Sequence, residues 1–204
     1  MQELFSTIRG RRSIRKYQNK TIPHCLIEDV LVAAGWAPSA HNAQPWRFIV
    51  LTEDALKKEL AKAMADSWAA DMKKDGVEIG EEFRKIRVER FASAPVVILA
   101  CSTMKDMNKQ PDAERQSVER DLAMQSLGAA IQNLLLMAQA EGLGACWFCA
   151  PGFCKSTVQA VLKIPENVEP QALVAVGYPD EKPEVPSRKV MGDYCFRNTW
   201  GEKL

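Results

Sequence analysis

Residues 95–101 form the sequence PVVILAC, a nearly unbroken apolar run in the middle of the chain. Such a run is typical of a β-strand that is buried on both faces, because a strand with one exposed face alternates apolar and polar side chains. A second buried strand is predicted at residues 171–176, and two shorter strands at residues 47–51 and 145–149. A sheet that is buried on both sides must be covered by helices.

Apolar residues at helical spacing predict these covering helices. They are predicted around residues 4–10, from Pro23 to a point before Pro38, from Asp54 as a capping residue through Trp68, and over residues 81–91, 118–140 and 155–162. The helix at 118–140 is apolar nearly all round its middle, which is typical of a core helix or of a subunit interface. The charged residues at its start, Glu119, Arg120 and Asp121, are expected to form a solvated end. The predicted class is α+β, with a small mixed central sheet flanked by helices in a single domain of residues 1–204.

Two stretches fall outside these elements. Residues 102–115 are polar and are interpreted as a mobile loop, which we expect to influence substrate choice because loops commonly carry specificity. The tail, residues 179–204, has three prolines among its first eight residues and is predicted to run extended over a surface.

Charge and hydropathy exclude several classes of function. The chain has 27 Lys and Arg against 26 Asp and Glu, so its net charge of +1 gives no overall attraction to nucleic acid or to anionic lipid. No run approaches the roughly 20 apolar residues that a membrane-spanning helix needs. Six cysteines at irregular spacing, without a secretion signal, predict reduced thiols in a cytoplasmic protein.

The basic segment, residues 9–20, concentrates six cations and contains no acid. Arginine and serine alternate over residues 11–15, and in an extended loop such side chains can converge on a single phosphate. Arg11, Arg12, Ser13 and Arg15 are therefore candidate phosphate ligands. A solvated basic loop is an open alternative, and a nucleic-acid contact is a weaker one.

The amide segment, residues 37–46, has the sequence APSAHNAQPW and lies between a predicted helix and a strand. Asn and Gln side chains carry paired donors and acceptors, which suit the edge of a flat heterocycle that presents both. Ordinary turn chemistry would account for the same residues.

These segments, in this order, resemble the nitroreductase family of FMN-dependent oxidoreductases. The resemblance extends to the GLGACW sequence at residues 142–147 and to the GYP sequence at residues 177–179, so it covers nearly the whole chain. The CWFCAP sequence at residues 146–151 is closest to a branch related to the flavin domain of deazaflavin-cofactor biosynthesis proteins.

The resemblance implies an intertwined homodimer in which each FMN contacts both chains, with the tail wrapping the partner subunit. It implies that Arg11, Arg12, Ser13 and Arg15 hold the FMN phosphate and ribityl chain, and that Arg188 and Lys189 reach the phosphate from the tail. Ser39, Asn42 and Gln44 would contact FMN from the partner, and the segment with Pro151 and Gly152 would face the hydride-carrying nitrogen. Pro151 has no N–H, so a hydrogen bond at that point must come from Gly152 or be absent.

The activity expected from the resemblance is hydride transfer from a reduced nicotinamide, or a deazaflavin, to an organic acceptor such as a quinone or nitroaromatic, by a ping-pong mechanism. No catalytic side chain is expected because the flavin carries the chemistry. The substrate pocket would include His41, Trp147 and Phe148.

Two alternatives stay open. One is a flavin-binding module without turnover. The other is a thiol-based metal protein using Cys146, Cys149 and Cys154, which is disfavoured because strand positions three apart point to opposite faces. No metal is expected.

Overall fold

The computed structural model describes residues 2–204. Over these residues the helices are α1 (Gln2–Gly10), α2 (His24–Gly35), α3 (Asp54–Lys74), α4 (Glu81–Ala92), α5 (Ala113–Ala140) and α6 (Lys155–Leu162). The strands are β1 (Trp46–Leu51), β2 (Val96–Thr103), β3 (Gly144–Phe148) and β4 (Val168–Gly177). Short 3₁₀ turns occur at Ala40–Asn42, Ala150–Phe153 and Met191–Asp193.

The sheet has the strand order β1-β2-β4-β3, and these four strands pair antiparallel. The parallel pairing in the described chain is limited to an isolated bridge between Ser13 and Ala145. The predicted α+β class is confirmed, although the sheet proper is antiparallel rather than mixed.

Both faces of β2 are covered, as the apolar run predicts. On one face Ile98 packs with the α2 and α5 side chains, among them Val30 and Leu134. On the other face Leu99 packs with residues of α3, α4 and α6, including Leu60. All eight residues of β2 are buried.

Several element boundaries differ from the sequence expectation. α5 begins at Ala113 because the Asp112 carboxylate accepts a hydrogen bond from the Arg115 backbone N–H and caps the helix. The loop before it, residues 104–112, is therefore shorter than predicted, and we call it the polar loop. The prediction that Asp54 caps α3 is wrong, since Asp54 is the first helical residue and its carboxylate pairs with Lys57 at 2.9 Å.

The tail after β4 is exposed along most of its length. Trp200 is 91% exposed and Val185 is 73% exposed. The tail contacts the basic segment near its beginning, where the Asp180 N–H donates to the Lys16 carbonyl at 3.0 Å. Its role in wrapping a partner stays a prediction. Among the described residues, no helix has the length and apolar character required to cross a bilayer.

The buried Cys101 thiol gives the first testable prediction. Burial raises its pKa to about 12 from an ordinary value of 9.0. In the unfolded chain the thiol ionises above pH 9 while the folded thiol does not, so the folded state loses stability as the pH rises from 9 toward 12. Urea unfolding of the wild type should lose about 1.4 kcal/mol between pH 8 and 10 from this group. Cys101→Ala should remove that part of the slope, whereas Cys25→Ala, at an exposed thiol, should not. Equal slopes in the wild type and Cys101→Ala would contradict the prediction.

Candidate functional site

The basic segment is fixed against the edge of the sheet. The Ile14 N–H donates to the Ala145 carbonyl of β3 at 3.1 Å, and Ile14 itself is buried. The Tyr17 hydroxyl donates to the Ile14 carbonyl at 2.5 Å and lies 3.3 Å from the Ala175 carbonyl. Burial raises the pKa of Tyr17 well above its ordinary value, so this hydroxyl remains a neutral donor at physiological pH.

Two glycines make this close approach possible. A Cβ at Gly144 would lie 2.8 Å from three carbons of the Ile14 side chain. A Cβ at Gly177 would lie 2.6 Å from the Tyr17 ring and 2.8 Å from Pro95. The glycines of the two motifs that carry the family resemblance therefore provide the space in which the basic segment packs on β3 and β4.

The arginines of the basic segment differ in what they are free to bind. The Arg12 guanidinium turns back and donates to the carbonyls of Arg9 and Arg11 at 2.7 and 2.8 Å. Through this one nitrogen, Nη1, it supports the end of α1, and its part in binding a phosphate stays a prediction. Arg15 is exposed and one of its guanidinium nitrogens donates to the Ser13 carbonyl at 3.2 Å.

The charges around Cys146 show which other groups lie nearby. Burial raises the pKa of the Cys146 thiol, while Arg15, a hydrogen bond with Ser13, Arg90 and Arg11 act in the opposite direction. Arg90, on α4, therefore acts on the same thiol as the basic segment, although it is distant from that segment in the sequence. Sequence reasoning missed it because it searched for cations within one continuous segment.

An acid also lies against the basic segment. Glu181 Oε1 accepts hydrogen bonds from the backbone N–H groups of Arg15 and Lys16. These two N–H groups are already used, so an anion bound here would have to be held by side chains.

The amide segment has an unusual backbone. His41, Asn42 and Gln44 have φ angles of 57°, 52° and 47°, in the left-handed region that non-glycine residues seldom adopt. Such conformations persist where surrounding contacts impose them, and they occur preferentially at functional sites. Ser39 Oγ accepts from the Gln44 N–H at 3.1 Å, and the exposed side chains of Asn42 and Gln44 lie 3.4 Å apart. The segment therefore presents amide groups to the outside of this chain.

Contacts with α5 hold the amide segment in place. The Ala40 N–H donates to Ser126 Oγ at 3.2 Å, and His41 Nε2 lies 3.3 Å from Glu119 Oε2. The prediction that Glu119 is solvated is wrong, since Glu119 is only 4% exposed. The helix begins earlier than expected, and Glu119 lies on the same inner face as Ala123 and Ser126. That spacing was visible in the sequence and could have identified it.

A cleft of about 350 Å³ lies between α5, β3 and the turn at Ala150–Phe153. Trp147 and Gly152 both line it, so the structure brings these two predicted residues together. Phe148 points to the opposite side of β3, where its ring meets Phe91 edge-on at 5.1 Å. His41 is not among the lining residues. The predicted pocket of His41, Trp147 and Phe148 is therefore not formed as one surface within this chain.

The remaining predicted site residues lie in two places. Pro151 is buried, and the Gly152 N–H donates to the Cys149 carbonyl at 3.1 Å, so that donor is engaged within the turn. Arg188 and Lys189 are exposed in the tail.

The cysteines of the described chain are free thiols, with Cys146 buried, Cys149 exposed and Cys154 half-buried. Over residues 2–204, no group of three or more His, Cys, Asp or Glu side chains is placed to hold a metal ion.

The fold and these two segments define an α+β protein with a basic, phosphate-compatible loop and an exposed amide loop. The sequence matches the nitroreductase family over residues 8–178. It is 31% identical over 186 residues to the Bacillus subtilis protein YfhC, which is named for an NAD(P)H nitroreductase activity, with 91% of this chain and 89% of that protein covered. The chain belongs to the nitroreductase family.

Solved structures share the fold. A BluB-like flavoprotein from Clostridium difficile 630 superposes with a TM-score of 0.79 at 26% identity, covering 96% of this chain and 99% of that one. A Desulfovibrio desulfuricans protein solved in complex with FMN gives a TM-score of 0.70 at 25% identity, with 97% of each chain covered. The predicted family, the predicted enzyme class of FMN-dependent oxidoreductase and the predicted cofactor are confirmed at this level.

The residues present fit an FMN phosphate. Arg11, Arg15, Arg90 and the Ser13 hydroxyl all act on the Cys146 thiol of β3, and guanidinium and hydroxyl groups are donors of the kind that bind phosphate oxygens. Arg12 differs from these residues in that its Nη1 already donates to the backbone carbonyls of Arg9 and Arg11.

Proposed function

We propose that this protein is a cytoplasmic, homodimeric oxidoreductase that passes a hydride from a reduced nicotinamide to an organic acceptor such as a quinone or nitroaromatic. The observation that carries the proposal is the basic segment fixed on β3, the strand that leads directly into the cleft at Trp147 and Gly152. A Thermus thermophilus relative, 30% identical over 196 residues, is named NADH dehydrogenase, which supports a nicotinamide donor.

The residues of this chain have separate tasks in this proposal. Arg11, Ser13 and Arg15 bind the phosphate of FMN, and the exposed amides of Asn42 and Gln44 orient the ring of an FMN shared with the partner. FMN, when bound, supplies the hydride chemistry. The apolar wall of the cleft at Trp147 excludes water from the reacting position. Donor and acceptor use the same cleft in turn, which gives a ping-pong mechanism.

The homodimer is supported by apolar surface that one chain leaves uncovered. In the tail, Trp200, Val185 and Tyr194 are 91%, 73% and 65% exposed. On α5, Val118 and Met124 are 52% and 38% exposed. Exposed apolar surface of this kind is typical of an interface, and a second copy of the chain would cover it.

Steady-state kinetics test the activity. The purified protein should oxidise NADH or NADPH in the presence of a quinone or nitroaromatic, with parallel lines in double-reciprocal plots as expected for ping-pong turnover. A protein that binds FMN but turns over none of these pairs would instead be the flavin-binding module without activity. A reduced deazaflavin should be included as a donor, because oxidation of that donor alone would correct the nicotinamide assignment.

The phosphate site gives a matched set of variants. Arg15→Ala and Arg11→Ala should each weaken FMN binding by about 1.5–3 kcal/mol, because each removes a charge-assisted contact to phosphate. Arg12→Ala is the control, since its guanidinium donates to the backbone of its own chain and its loss should change FMN affinity much less. Titration calorimetry of the flavin-free proteins measures the three dissociation constants. If Arg12→Ala proves the most damaging, the assignment of the clamp is wrong.

A further inference from the structure

Glu119 is a buried carboxylate that contacts two separate loops. Its Oε1 accepts a hydrogen bond from Gln110 Nε2 in the polar loop at 2.9 Å. Its Oε2 lies 3.3 Å from His41 Nε2 in the amide segment, and among the described residues this buried oxygen has no hydrogen-bond partner. A buried oxygen without a donor is costly, and the His41 ring is the group that faces this one.

The two loops also contact each other around this carboxylate. Asn108 Nδ2 of the polar loop lies 3.2 Å from His41 Nε2. The polar loop is held from beneath by α5, where Gln116 Oε1 accepts from the Gln110 N–H at 3.0 Å. The polar loop is therefore anchored to α5 at Gln116 and Glu119.

We propose that Glu119 is a positioning residue that couples the amide segment to the polar loop. On the amide side it holds His41 at a φ of 57°, next to Asn42 at 52°, and so maintains the left-handed backbone that presents the amide groups. On the other side it fixes Gln110. A movement of either loop is then transmitted to the other through this carboxylate, in addition to the direct contact between Asn108 and His41.

This coupling would link cofactor binding at the amide segment to acceptor binding at the polar loop. The inference rests on the proposed function. The amide segment is proposed to orient the cofactor ring, and the polar loop is expected to contact the acceptor. An acceptor that displaces Gln110 also loosens His41, so acceptor size is sensed at the cofactor. Glu119 thereby contributes to acceptor specificity without touching the acceptor.

Hydrogen–deuterium exchange of the full-length protein as purified tests the coupling. In Glu119→Leu, exchange in peptides covering residues 40–44 and 104–112 should rise together by about tenfold, the effect of losing buried polar contacts. Peptides of β2 and β4 should stay protected. Glu119→Gln should retain most of the protection. The glutamine side chain is nearly the size of leucine, but its carboxamide still forms polar contacts with Gln110 and His41. Glu114→Gln, at an exposed acid on the same helix, is the control and should match the wild type.

Two outcomes overturn the proposal. One is an equal effect of Glu119→Leu and Glu119→Gln, which would indicate packing alone. The other is a rise in only one of the two loops. If Glu119→Leu does not fold, Gln110→Ala and His41→Asn each remove one of the two contacts of Glu119. Asparagine is chosen at position 41 because it tolerates the left-handed backbone. Gln110→Ala should then raise exchange at residues 40–44, and no change there would refute the coupling. Flavin absorbance of the same samples tests FMN binding separately, so a failure of the proposed function can be distinguished from a failure of the coupling.

Discussion

A refolded mixture of Arg15→Ala and Asn42→Ala chains should regain about a quarter of wild-type activity, although each parent homodimer is expected to be severely impaired. The expectation follows from a site shared between two chains, in which Arg15 of one chain and Asn42 of the other contact the same FMN. In a mixed dimer one site collects both substitutions and the other collects neither. Random pairing makes about half of the dimers mixed, and half of their sites are intact.

The two segments are attached to separate elements of the fold. The basic segment hydrogen-bonds to β3, whereas the amide segment hydrogen-bonds to α5 and presents its amides outward. The chains are unfolded, mixed and refolded, mixed dimers are verified by native mass spectrometry, and activity is then measured. A mixture of Arg15→Ala with Arg11→Ala serves as the control, because both substitutions lie in the basic segment and so in the same half of the proposed site. In that mixed dimer each site keeps one substitution, and no activity should return. That mixture should recover to the same extent only if Arg11 and Arg15 serve different sites. Absence of recovery in the Arg15/Asn42 mixture, with mixed dimers present, would place each site within one chain.

Gly144→Ala should destabilise the protein by about 1–3 kcal/mol, the usual cost of overpacking a well-packed interior. The added Cβ would lie 2.8 Å from three carbons of Ile14, and Ile14 cannot retreat without breaking its hydrogen bond to Ala145. Movement of the basic segment away from β3 should also displace Arg15 and Ser13, so FMN affinity should fall by about tenfold or more, which corresponds to 1.4 kcal/mol of phosphate binding. Urea unfolding and FMN titration measure the two effects.

Two further variants separate this clash from other effects of removing a glycine. Gly35→Ala adds a methyl group in open space within helix α2, and it should be neutral or stabilising by up to about 1 kcal/mol. Ile14→Ala combined with Gly144→Ala should restore part of the FMN affinity, because it removes two of the three Ile14 carbons that clash with the new Cβ. If Gly144→Ala behaves like Gly35→Ala, the close approach at β3 does not control the basic segment.

Much of the architecture could be predicted from short-range patterns in the sequence. The apolar run at residues 95–101 identified β2 and the need for helices on both sides, because a strand buried on both faces is recognisable from its own residues. The proline and glycine positions and the helical spacing of apolar residues gave the helices. The order of the basic, amide and glycine motifs indicated the nitroreductase family, which the comparison confirms.

Contacts between distant segments could not be derived in this way. The sequence alone determined the elements, the class and which two segments to examine as candidate binding segments, because hydrophobic periodicity and turn residues act locally. Tertiary structure decided that Arg12 supports the end of α1 and that Arg90 of α4 acts on the same Cys146 thiol as the basic segment, since the position of a guanidinium depends on the groups that the fold brings near it. It also decided which groups the buried Glu119 meets, because the helical spacing places its carboxylate on the inner face of α5 but only the fold brings His41 and Gln110 against it.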